Sequence, residues 1–86
     1  MALSDVAVRT AKPREAVYRF ADGRVPGLAL EVRTTGGKFW RLRYNYDGRA
    51  NMMSLGEYPA VGLADAREKA LAARKQLDAG QSPVQQ

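Results

Sequence analysis

The fold of this chain is decided by residues 28–55, which read LALEVRTTGGKFWRLRYNYDGRANMMSL. Apolar and polar residues alternate on both sides of the spacer at residues 35–37, and period-two alternation is typical of strands with one buried face. A glycine-bearing spacer between two such runs predicts an antiparallel hairpin, and the step Asp47-Gly48 predicts a second, type I′ turn. The stretch therefore predicts a three-stranded antiparallel meander.

The alternation also assigns the strand residues to two faces. The residues predicted to point into the core are Leu28, Leu30, Val32, Trp40, Leu42, Tyr44, Tyr46, Met53 and Leu55. On the opposite face of the second strand the sequence places Phe39, Arg41, Arg43 and Asn45. In the first strand Ala29, Glu31 and Arg33 occupy the same phase, so we expect this whole face to be in contact with water.

The segments on either side supply the cover that an open sheet needs. Residues 63–79 carry apolar side chains at helical spacing, with Gly62 as N-cap and Gly80 at the C′ position. A short helix is predicted from Ser4 to about Ala11, and residues 16–20 suit a further short strand. Glycine and proline at residues 56–59 are expected to end the third strand. The predicted class is α+β, with a three-stranded meander packed on one C-terminal helix.

The composition excludes several classes of function but does not identify one. The 86 residues fit one domain, assigned to residues 1–80, with residues 81–86 as a linker. Histidine and cysteine are both absent, which removes the commonest general base, strong nucleophile and metal ligands. We therefore expect no enzyme activity, cofactor, metal or small-molecule substrate. The sequence has no apolar run long enough for a membrane span, so a cytoplasmic location and no membrane partner are expected.

The net charge of +5 favours an anionic partner, and the basic excess is concentrated between residues 33 and 49. Antiparallel strands can enter the major groove of DNA, where arginine matches guanine and asparagine matches adenine. Candidate base-reading residues are Arg41, Arg43, Asn45 and Phe39. Candidate phosphate contacts are Arg33, Lys38, Arg49, Arg9, Lys12 and Arg14. From the pattern alone, a merely solvated face is an equal alternative. The charges of the long helix are expected to pair within it.

Several longer motifs, in order, carry a family resemblance. They are LSDVAVRTAKP (3–13), YRFADG (18–23), GLALEV (27–32), KFWRLRYNYDGR (38–49), LGEYPAVGLADAR (55–67) and AARKQLDAG (72–80). The chain resembles the N-terminal domain of integrases of prophages, satellite phages and pathogenicity islands, which are tyrosine recombinases. The resemblance implies binding to arm-type sites in double-stranded DNA beside other integrase protomers, with the sheet in the major groove. It also implies that the core-binding and catalytic domains lie beyond this chain.

The sequence departs from the family pattern at three places. Gly62 replaces a helix-capping serine, Ser82 replaces an aspartate, and residues 50–52 (Ala-Asn-Met) are less basic than the family's third strand. The last departure predicts fewer or differently placed DNA contacts from that strand. A second function remains open, in which the domain is a protein–protein interaction module for recombinase protomers or an accessory protein.

Overall fold

The computed structural model describes residues 3–80, which form two helices and one antiparallel sheet. The elements are α1 (Asp5–Thr10), β1 (Tyr18–Ala21), β2 (Leu28–Val32), β3 (Lys38–Tyr46), β4 (Arg49–Tyr58) and α2 (Leu63–Asp78). The α+β class is confirmed, but the sheet has four strands, in the order β1-β2-β3-β4. The short strand predicted before the meander pairs with β2, from Tyr18 opposite Val32 to Ala21 opposite Ala29. The proposed linker, residues 81–86, lies outside the described residues.

The strand β4 is longer than predicted, because Gly56 is accommodated within it. Trp40 pairs with Gly56 whereas Arg41 pairs with Ser54, so Leu55 is an extra residue in the β3–β4 ladder. This irregularity is a β-bulge, and Gly56 adopts a φ of 123° there. The strand was predicted to end at about Leu55, and it continues for three more residues to Tyr58. The type I′ turn is confirmed, since Asp47 and Gly48 have φ values of 54° and 74°.

One face of the sheet is covered by α2 and the loop that precedes it. The α2 residues Leu63, Ala66, Ala70 and Ala73 are buried against the sheet, as the helical stripe predicted. The fully buried Trp40 donates a hydrogen bond from Nε1 to the Val61 carbonyl at 2.7 Å. A Cβ at Gly56 would lie 2.5 Å from Val61 Cγ2, so this close approach requires glycine. Trp40 thus fixes the loop that positions α2.

The three predicted helix-capping residues lie at the expected positions. Ser4 caps α1 by accepting a hydrogen bond from the Ala7 amide at 3.1 Å. Gly62 is the N-cap of α2, and Gly80 lies at the C′ position after this helix with a φ of 81°. Within residues 3–80, no helix is long and apolar enough to cross a membrane.

A buried ion pair joins the N-terminal segment to α2. Asp22, which is fully buried, accepts hydrogen bonds from Arg67 at 2.8 and 3.1 Å and from the Leu3 amide at 3.1 Å. Arg67 also donates to the Leu3 carbonyl. The expectation that α2 pairs its charges internally was wrong for Arg67, because a buried carboxylate 45 residues away is the stronger acceptor. Arg74 likewise leaves the helix and donates to the Pro26 carbonyl.

Replacement of Trp40 by phenylalanine tests the contact that positions α2. Trp40→Phe removes the hydrogen bond to Val61 and leaves a small void, so we expect a loss of roughly 2–4 kcal/mol in the free energy of unfolding. Urea titration followed by circular dichroism measures it. Leu71→Ala, on the exposed face of α2, is the control and is expected to cost less than about 1 kcal/mol. Equal losses in the two variants would contradict the assignment.

The Asp22 contacts predict a dependence of stability on acid. Burial alone raises the pKa of Asp22, but hydrogen bonds from Arg67, Leu3 and Val25, together with the Arg67 charge, bring it below the ordinary 3.8. A lowered pKa in the folded state stabilises the fold above the ordinary value, and this stabilisation is lost as the pH falls through the lowered pKa.

We therefore expect Asp22→Asn to lower the free energy of unfolding at neutral pH by roughly 1–3 kcal/mol. The variant should also lose less stability than the wild type between about pH 5 and about pH 2. Urea unfolding across that range checks both outcomes, with Asp78→Asn, an exposed carboxylate at the end of α2, as control. An Asp22→Asn variant with the full acid dependence of the wild type would be inconsistent with this role.

Candidate nucleic-acid interface

The sheet face opposite α2 is the candidate site, and we call it the outer face. The pairing register places on it Arg19, Ala21, Ala29, Glu31, Phe39, Arg41, Arg43, Asn45, Ala50, Met52, Ser54 and Glu57. Leu30, Trp40 and Leu42, which alternate with these residues, are fully buried on the other side. The predicted division of β3 into an apolar and a basic face is therefore present in the structure.

Arg43 and Asn45 are the most accessible of the predicted base-reading residues. Both are exposed, and Arg43 forms no salt bridge with any other residue of the described segment. Its backbone is held in place, since the Arg43 amide donates to the Gly27 carbonyl at 2.9 Å. Gly27 has a φ of 85°, and a Cβ there would lie 2.2 Å from the Arg43 carbonyl oxygen. A fixed backbone thus carries two side chains free to contact a ligand.

Glu31 was predicted to be in contact with water on the outer face, but it is buried. Only 5% of the residue is exposed, and both carboxylate oxygens accept from arginine. Arg19 reaches Oε1 through Nε at 3.1 Å and Nη2 at 3.0 Å. Arg33 reaches Oε2 through Nε at 3.0 Å, and Arg41 reaches Oε2 through Nη2 at 3.5 Å. The three guanidinium groups cover the carboxylate, and that cover is why water does not reach it.

The cluster of Glu31 with Arg19, Arg33 and Arg41 remains strongly positive. Burial alone raises the pKa of Glu31, but hydrogen bonds from Arg33, Arg41 and Arg19 and the Arg41 charge bring it below the ordinary 4.5. The carboxylate is therefore ionised at neutral pH and cancels one of three positive charges. The side chains of Arg19 and Arg33 are 49% and 44% exposed, whereas that of Arg41 is only 22% exposed. Arg41 is thus a more restrained base-reading candidate than the pattern suggested.

Phe39 is half-buried beneath another member of this cluster. The Arg33 guanidinium lies over its ring, 4.2 Å from the centroid. A cation–π contact of this kind restrains both side chains. Phe39 is therefore less open than predicted, while Arg33 lies on the outer face, in a position to contact an anion.

Four of the remaining phosphate candidates lie with α1, away from the outer face. Lys38 donates from Nζ to the Val8 and Arg9 carbonyls at 2.8 Å each, which places its charge at the C-terminal end of α1. Arg14 stacks over the Tyr18 ring at 4.0 Å, whereas Arg9 and Lys12 are exposed near α1. Arg49 is exposed opposite Tyr46, beside the hairpin turn. The structure therefore brings together only part of the predicted set.

Two functional candidates were missed by the pattern and one was undervalued. Arg19 lies opposite Glu31 in the β1–β2 ladder. Both residues have the alternation phase of the outer-face residues of β3, and this phase is the signal in the sequence that could have placed them on the same face. The partly exposed Met52 lies opposite Arg43, so the less basic β4 contributes an apolar side chain to the outer face. Among residues 3–80, no group of three acidic, histidine or cysteine side chains is arranged to hold a metal ion.

Comparison with known proteins identifies the family of this chain. Residues 3–86 match the family described as the Arm DNA-binding domain. The chain belongs to the Arm DNA-binding domain family. It is 44% identical to the integrase of Shigella phage Sf6 over 77 residues, which are 90% of this chain and 20% of the integrase. The same figures hold for prophage integrase IntS of Escherichia coli K12.

A third relative extends the coverage of this Arm DNA-binding domain. The integrase of Enterobacteria phage P4 is 41% identical over 85 residues, which are 96% of this chain and 19% of that protein. The chain therefore spans about a fifth of the length of the integrases it matches. The resemblance to integrase N-terminal domains is confirmed, and DNA binding in an integrase is the function that the family supports.

Proposed function

We propose that this domain binds arm-type sites of an attachment site in double-stranded DNA by inserting the outer face of its sheet into the major groove. The observation that carries the proposal is the row of Arg41, Arg43 and Asn45 on one face of β3. Arginine pairs bidentately with guanine and asparagine with adenine in the major groove, so this row has base-reading chemistry. The full protein, on this proposal, is a tyrosine recombinase whose catalytic residues lie in another domain.

The spacing of this row suits the groove. Alternate residues of a strand are about 6.8 Å apart, which is close to two base-pair steps of about 3.4 Å each. Arg41 and Asn45 are therefore about 14 Å apart along β3, so the row extends over about four steps of DNA. Met52 and Ala50, beside Arg43 and Asn45 on β4, add apolar contacts of the kind that thymine methyl groups accept.

The phosphate contacts follow from where the exposed guanidinium groups lie. Arg19 and Arg33 flank the base-reading row on the β1–β2 side of the outer face. Arg49 lies beside the β3–β4 turn, at the other end of the strand. Contacts to phosphates orient the sheet without reading sequence. If the DNA backbone passes the α1 side of the domain, Arg9, Lys12 and Arg14 add further phosphate contacts. Residues 81–86 are the proposed linker between residues 1–80 and the next domain.

Removal of two arginines from the row tests the outer face directly. Arg41→Ala with Arg43→Ala should weaken binding to the preferred duplex by roughly 100-fold or more, because each bidentate contact contributes about 1–3 kcal/mol. Fluorescence anisotropy with a duplex enriched by the wild-type chain from a randomised pool measures the change. The matched control, Lys69→Ala with Lys75→Ala, removes the same charge from exposed positions of α2.

The control should lose much less affinity, since α2 lies on the opposite side of the sheet. If the double arginine variant folds and retains its affinity, the outer face does not read DNA. Association with recombinase protomers or an accessory protein would then be the better function. Analytical ultracentrifugation of the same variants distinguishes that outcome.

The dependence of affinity on salt tests the phosphate contacts. With roughly four to six phosphates engaged, the logarithm of the association constant should fall with the logarithm of salt concentration at a slope of about −4 to −5. Anisotropy titrations at several salt concentrations give the slope. Arg33→Gln should make it shallower by about 0.9, the value of one phosphate contact. A slope near zero in the wild type would contradict an electrostatic interface.

A further inference from the structure

We infer that Glu31 determines sequence discrimination, because it holds Arg41 in place for base reading and limits the attraction of its arginine cluster for any DNA phosphate. The inference rests on the proposed function and adds to it a residue that makes no contact with DNA. Glu31 is therefore a positioning residue, and its effect should appear in specificity and not in overall affinity alone.

The first step concerns the orientation of Arg41. Its side chain is 22% exposed, its Nη2 lies 3.5 Å from Glu31 Oε2, and its buried Nε has no hydrogen-bond partner within residues 3–80. Ala29 lies opposite it on β2, and this small side chain leaves room for the guanidinium to lie along the sheet toward Glu31. The carboxylate is thus the polar group that directs Arg41. Without it, the long arginine side chain gains rotamer freedom, and a mobile fork matches a base edge poorly.

The second step concerns the charge of Arg19 and Arg33. Both are about half exposed, and both have their Nε atoms directed to Glu31. Phosphate contacts by such groups add affinity for any duplex, whatever its sequence, and therefore favour binding to competing DNA. The buried carboxylate offsets one of the cluster's positive charges and occupies one edge of each guanidinium. The same group therefore restrains the base-reading arginine and weakens sequence-independent attraction.

Glu57 provides a matched control. It lies on the same outer face, opposite Phe39, and it is exposed. Within the described residues it forms no salt bridge with the arginine cluster. Glu57→Gln and Glu31→Gln both raise the net charge by one, so a difference between them reports the contacts of Glu31 and not the charge of the domain.

The experiment measures a discrimination factor for the full chain. This factor is the ratio of the dissociation constants for a shuffled duplex and for the duplex that the wild-type chain enriches from a randomised pool. Anisotropy at two salt concentrations gives both constants. For Glu31→Gln we expect affinity for the shuffled duplex to rise roughly three- to tenfold, because a nearby negative charge is removed. The discrimination factor should fall by about tenfold, whereas Glu57→Gln should leave it within about twofold of the wild type.

A second variant separates the position of the Glu31 carboxylate from its charge, and it provides a test if Glu31→Gln does not fold. Glu31→Asp keeps the negative charge but is shorter by one methylene, so its carboxylate cannot reach all three arginines. We expect the discrimination factor to fall while the salt dependence stays that of the wild type. Thermal unfolding shows which variants are folded, and if Glu31→Gln is not, Glu31→Asp decides.

Three outcomes would overturn the inference. They are equal discrimination factors in Glu31→Gln and Glu57→Gln, a folded Glu31→Gln variant that binds both duplexes more weakly, and wild-type discrimination in folded Glu31→Asp. Failure of the proposed function is distinguishable from all of them, because the wild-type chain would then enrich no sequence from the pool.

Discussion

The hydrogen bond from Trp40 Nε1 to the Val61 carbonyl connects the middle of the sheet to the loop that leads into α2. It depends on the register of β3, since a slip by one residue would exchange the two faces of that strand. Trp40, Leu42 and Tyr44 would then be in water, and Arg41 and Arg43 would be buried against the alanine stripe of α2. Burial of the large indole therefore determines which side of β3 carries the arginines. The position of the candidate interface is a consequence of core packing.

Two buried carboxylates are satisfied in different ways in this small domain. Asp22 has one arginine partner and two backbone amides, and its contacts join three segments of the chain. Glu31 has three arginine partners, and its contacts stay on one face of the sheet. The Asp22–Arg67 pair has balanced charge and stabilises the junction of these segments. The three arginines around Glu31 leave a positive surface that is held in place by the buried carboxylate. The first arrangement stabilises the fold, and the second leaves a net positive charge on the outer face.

The sequence predicts those parts of the structure that depend on local periodicity and turn chemistry. The two faces of β3, the Asp47-Gly48 turn and the caps of α2 follow from residues close together in the chain. The burial of Glu31 could not be derived in this way, because it needs arginines from β1, β3 and the end of β2 at once. The Asp22–Arg67 pair is separated by 45 residues, and no periodicity reports such a contact. The prediction that Gly56 follows the end of the strand was wrong, because glycine suits a bulge within a strand as well as a strand end.

The same distinction applies to the candidate site. Alternation places Arg43 and Asn45 on the open face. The position of Lys38 at a strand end predicts a phosphate contact, but its ammonium group contacts the carbonyls at the end of α1. A charged residue at the end of a strand can meet either solvent or a neighbouring helix, and the sequence does not say which. Arg43 and Asn45 are exposed on a part of β3 whose backbone is paired with β4, and the Arg43 amide also donates to the Gly27 carbonyl. Such side chains require little backbone ordering on binding, so under the proposed function a rigid sheet is favoured over a loop as the base-reading element.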